Sequence, residues 1–108
     1  MGESSLDLSE IVDLYKEDAR LMIEKMRGAL ARWEEVQKDG PARAELRRLS
    51  HQLRGSGRTY GFRSATCICK AIENIMIRIE KIRFPADERV RESVQKKLER
   101  LGSVFAAS

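Results

Sequence analysis

The sequence predicts an all-α protein folded as an antiparallel up-down-up-down four-helix bundle. Apolar residues recur at three- and four-residue spacings along four stretches, and none alternates with period two. Glu, Lys, Arg, Leu, Ala and Ile dominate, with two prolines and 6% aromatic residues, a mixture that favours helices over strands. The gaps between periodic stretches are short, and short links join antiparallel neighbours. A chain of 108 residues has room for one domain, expected over 7–106.

The first periodic stretch covers 8–36. Leu8, Ile11, Val12, Tyr15, Ala19, Met22, Ile23, Met26, Leu30 and Trp33 form its stripe, and Asp7 with Glu10 reads as a capping box. Gly40 ends it, and Pro41 opens the second helix, 41–60, whose stripe is Leu46, Leu49, Leu53 and Tyr60. Gly61 is the stop. The third helix covers 63–82, with Ala65, Ile68, Cys69, Ile72, Ile75, Met76, Ile79 and Ile82 inward. Residues 83–86 read as a loop, and Asp87 caps the fourth helix, 87–106, with Val90, Val94, Leu98, Leu101 and Phe105 inward.

Several functions are excluded at this level. No run of about 18 apolar residues exists, so no membrane span is expected. The opening MGESSLDLSE lacks the basic start and apolar stretch of a signal peptide, and Leu6 stands where myristoylation needs Ser or Thr. A cytoplasmic setting is the default. Cys67 and Cys69 point about 200° apart on a helix, so they can neither pair nor share a metal. Cys69 is expected in the core, Cys67 on the surface, and no metal site is expected. Lys and Arg number 21 against 17 Asp and Glu, a net charge of +4, less than dedicated nucleic-acid binders carry.

His51 is the single histidine. Leu49 and Leu53 define the inward side of the second helix, and His51 lies about 160° away from each. Its imidazole is therefore expected in solvent, among Arg47, Arg48, Arg54 and Gly55 at helical spacing. A neutral imidazole is a competent nucleophile near pH 7, and guanidinium groups offset phosphoryl charge. Gly55 and Gly57 each cost a helix interior about 0.8–1 kcal/mol relative to Ala. Close approach of another surface is the simplest reason to accept that cost. The competing reading is a solvated basic face carrying an ordinary surface histidine.

The residues themselves decide between these. The stretch 49–62, LSHQLRGSGRTYGF, resembles the signature of histidine-containing phosphotransfer (HPt) domains: a histidine, then Gly-Ser-Gly, then a Gly-Phe turn. Cys69-Lys70-Ala71-Ile72-Glu73 is similar to the family's following helix, where small residues lead to a hydrophobic residue and Glu. The resemblance implies a phosphoryl carrier of a two-component phosphorelay with no ATP site of its own, and so not an enzyme in its own right. His51 would be the phosphorylated nucleophile, and Arg54 stands where many members have Lys. Gly55 would let a receiver close over the histidine, and Gly57 and Gly61 match later small positions. Arg47 and Arg58, with Arg43 and Arg48, would complete a basic surface for an acidic partner. The implied partners are response-regulator receiver domains, a hybrid sensor kinase, or both. Mg²⁺ is expected on the receiver and no cofactor on this chain, which is expected to be a monomer.

Other readings fit less well. A histidine kinase dimerisation helix has an acidic residue after its histidine and a later Pro; here Gln52 follows and no Pro interrupts. Gly55-Ser56-Gly57-Arg58-Thr59 lacks the preceding strand and the Gly-Lys-Ser/Thr ending of a nucleotide loop. A small basic helical module binding nucleic acid or protein without phosphotransfer is the remaining alternative, supported by the arginines of the second helix alone.

Overall fold

The computed structural model describes residues 7–82 and 85–106. Residues 83 and 84 of the expected loop, and most of the N-terminal stretch read above for targeting signals, lie outside them. The described residues form five helices and no strand: α1 Leu8–Ala31, α2 Trp33–Gln37, α3 Pro41–Thr59, α4 Arg63–Lys81 and α5 Glu88–Ala106. α1 packs against α3 and α5, and α4 packs against the same two, so the four long helices close around one core. That core holds Ile23, Met26, Leu46, Leu53, Ile72, Met76, Leu98 and Phe105, each essentially without solvent contact.

The termini follow the local chemistry. Asp7 and Glu10 make the capping box at α1, Asp7 accepting from the Glu10 amide at 2.9 Å. The Asp87 carboxylate accepts from the Arg89 and Val90 amides and starts α5. Pro41 occupies the first turn of α3, and Gly61 takes φ +82°, the left-handed conformation that ends it.

The first helix is not continuous to residue 36, and the expected four helices are five. It breaks at Arg32 (φ −97°, ψ 51°). On an unbroken helix Val36 would sit about 20° around from the buried Ala29, so helical periodicity alone carries no sign of the break. Beyond the break, Trp33 and Val36 both lie in the core. Trp33 Nε1 donates to Ala86 O at 3.1 Å and Gln37 Nε2 to the same oxygen at 2.7 Å, tying α2 to the segment before α5. Arg43, counted above with the partner-facing cations, is buried instead. Its guanidinium donates to Val36 O (2.6 Å) and Gln37 O (2.9 Å) and pairs with Asp39 at 3.1 Å, capping the end of α2.

The predicted stripes overrun the core at their ends. Tyr15, Tyr60, Phe62 and Phe105 close one end of the bundle, with Tyr15 stacked on Tyr60 at 4.2 Å between centroids and edge-on to Phe105 at 5.8 Å. Leu8 (75% exposed) and Ile11 precede that seal and have no bundle beside them. Tyr60 covers Tyr15 from outside and stays partly in solvent. Ile82 follows the last turn of α4 and is 67% exposed.

Cys69 is buried and Cys67 exposed. Burial, reinforced by the nearby Glu73 charge, pushes the Cys69 thiol up to about 12. One thiol per chain should therefore react with an aromatic disulfide reagent at pH 8, and the second after denaturation. Fast reaction of both thiols in the native protein would contradict this packing.

Candidate functional site

Leu46, Leu49 and Leu53 bury one side of α3 and leave His51 on the other, its side chain 64% exposed. The ring is nevertheless held. Its Nδ1 lies 2.8 Å from Glu73 Oε2 on α4. Glu73 is anchored because its side chain is only 9% exposed, between the buried Cys69 one turn before and Met76 one turn after. Its second oxygen, Oε1, accepts from Arg54 Nη1 at 2.8 Å. One buried carboxylate thus joins His51 and Arg54.

This arrangement selects a tautomer. A carboxylate accepts and does not donate, so Nδ1 carries the proton and donates it to Glu73. In a neutral ring, Nε2 then keeps its lone pair on the solvent side. The chemistry available is nucleophilic attack through Nε2, with a fixed negative charge behind the ring.

The other expected site residues separate into groups. Arg47 shares a groove of about 540 Å³ with His51, Arg48, Gln52 and Glu73. Its Nη1 is bound to both Glu80 oxygens at 3.0 and 3.1 Å, which draws it toward α4. Arg58 is exposed but lines a different groove with Gly61, Phe62 and Arg63, at the start of α4. Gly55 is exposed, and a Cβ added there meets nothing within 4 Å. The surface around it is open.

Gly57 differs from that expectation. It is buried, and a Cβ there would lie 3.1 Å from Thr66 Oγ1 and 3.6 Å from Ala65 Cβ. Its small size lets α3 close on α4 and does not open a surface to a partner. Thr66 spans the same seam, its hydroxyl within 3.3 Å of both Arg54 O and Phe62 O.

Glu73 closes the motif 69–73 quoted above, but the sequence assigns it no role beside His51. The signal was present: an acidic side chain four residues after Cys69 and three before Met76, on the apolar face of α4. Such a buried carboxylate requires partners.

The family model for the Hpt domain matches residues 10–104. No curated protein and no solved structure gives a match. With nearly the whole chain matched, and a histidine held outward on a helical bundle, this protein belongs to the Hpt domain family.

Proposed function

We propose that His51 accepts a phosphoryl group from the aspartyl phosphate of a receiver domain and passes it to the aspartate of another. Membership of the Hpt family supports a role in two-component phosphorelays. The observation that carries the residue assignment is the Nδ1–Glu73 contact at 2.8 Å beneath a solvent-facing Nε2.

In the forward step the Nε2 lone pair attacks phosphorus, a P–N bond forms and the P–O bond to the receiver's aspartate breaks. The aspartate leaves as carboxylate. The ring keeps its Nδ1 proton and becomes a phosphorylated imidazolium, whose positive charge develops against Glu73. No proton has to leave for the bond to form, so no separate general base is required. Transfer to a second receiver reverses each change. Phosphoryl transfer depends mainly on positioning and charge stabilisation. Arg54 spends one of its five N–H groups on Glu73, which leaves the others for the phosphoryl oxygens. Mg²⁺ would be held by the receiver, where it would offset phosphoryl charge.

The nucleic-acid alternative loses support, because three of the five arginines of α3 are engaged within the chain. Arg43, Arg47 and Arg54 are each engaged by carboxylates or backbone carbonyls of this chain.

Incubation with receiver domains charged by radiolabelled acetyl phosphate should move acid-labile, base-stable label onto the peptide containing His51. Label confined to the receivers across a broad survey would remove the proposal. Gly55→Leu should leave the fold at least as stable as before, since the site is open and Gly in a helix costs about 0.8–1 kcal/mol relative to Ala. Transfer by that variant should nonetheless slow severalfold, because the added side chain occupies the partner's approach. Unchanged transfer kinetics would show that the partner does not come close at Gly55.

A further inference from the structure

The cations around His51 are not equivalent, and their pairing sorts them. Toward α4, Arg47 is bound to Glu80 and Arg54 to Glu73, so these two positive charges of α3 are each matched by a carboxylate. Arg43 is buried at the end of α2. Arg58 lines the other groove, two turns along α3 from His51. Arg48 is different. It is exposed, carries no ion pair among the described residues, and lines the same groove as His51 from one turn away.

Its direction is fixed by its neighbours on α3. Arg47 reaches α4, whereas Glu45 reaches Arg32 just after α1 and Ser56 reaches Tyr15 on α1. On the helical wheel Arg48 falls between those two sides, with Gln52 one turn further along. The unmatched positive charge beside the nucleophile therefore lies on the outer, α1-ward rim of the groove, opposite the carboxylate wall of Glu73 and Glu80.

Resting on the phosphotransfer reading above, we propose that Arg48 is the residue that recognises the receiver, pairing with an acidic side chain at the edge of the receiver's phosphorylation pocket. The pairing orients the receiver over Nε2 from the α1 side and discriminates among receivers by the charge at that edge. A rim charge of this kind acts on encounter and salt dependence more than on the chemical step.

The test uses a receiver domain charged with acetyl phosphate and chosen because it exchanges label with the wild-type chain. Transfer is measured for wild type, Arg48→Glu, Arg48→Lys and Lys96→Glu. The last makes the same charge change on α5. Arg48→Glu should lower kcat/KM about tenfold through KM, with the loss shrinking at high salt. Arg48→Lys should recover most of it, and Lys96→Glu should stay within about twofold of wild type. Replacing an acidic residue at the receiver's edge by Arg should rescue Arg48→Glu. Wild-type kinetics in Arg48→Glu, or an equal loss in Lys96→Glu, overturns this inference alone. A wild-type chain that exchanges label with no receiver overturns the phosphotransfer reading and this inference with it.

Discussion

His51→Gln should abolish phosphoryl transfer and leave the protein folded. The chain has no second histidine to take over. An amide offers no nitrogen lone pair comparable with imidazole Nε2, so the P–N bond has no route. The fold should tolerate the change, because the side chain is 64% exposed and packs into no part of the core. A glutamine amide at 51 is itself a donor and leaves Arg54 in place on the buried Glu73. Label transfer from a charged receiver, beside a thermal melt followed by circular dichroism, measures both halves. Acid-labile label on the variant would place the chemistry elsewhere.

Glu73→Gln should be the next most damaging change, although Glu73 touches neither receiver nor phosphorus. An amide at 73 can turn its NH₂ toward Nδ1 and donate to it. The proton of the neutral ring then moves to Nε2, where it blocks the lone pair that attacks. The variant also removes the negative charge against which the imidazolium develops, and leaves Arg54 without its carboxylate. Transfer should fall by about a hundredfold, the scale expected when a group that holds a reactive histidine in its working form is lost. Nitrogen-15 NMR of the ring gives an independent reading: the wild type should show the Nδ1–H form, and the variant a growing share of Nε2–H. An unchanged rate together with an unchanged tautomer would rule out the orienting role of Glu73.

Much of this site was legible before any coordinates. The outward direction of His51 follows from Leu49 and Leu53, since helical periodicity reports direction on its own helix without reference to neighbours. The stop at Gly61, both acidic caps and the separate fates of Cys67 and Cys69 are equally local and were read correctly. What stayed hidden depends on where neighbouring elements end. Leu8 and Ile11 continue the stripe of α1 perfectly well, but the aromatic seal at Tyr15 lies behind them. The break at Arg32 leaves Trp33 and Val36 in phase with the residues before it, so periodicity does not reveal it. Charge counting placed Arg43, Arg47, Arg48, Arg54 and Arg58 in one patch. Pairing with Asp39, Glu80 and Glu73 divides that patch, because the carboxylates come from other parts of the chain. Glu73 stands out in the motif 69–73, but its contact with His51 depends on how α4 packs against α3, which neither helix shows alone.

The aromatic seal and the α2 break also place the natural chromophores. Both tyrosines, Tyr15 and Tyr60, stand at one pole of the rod, and the lone tryptophan, Trp33, stands near the other. Along α1 the separation is about 27 Å at 1.5 Å per residue. Phenol absorbance and indole emission thus watch opposite tips of the same molecule. Superimposable melting curves from the two would mean that the rod opens as one cooperative unit, and divergent ones that a single tip frays first.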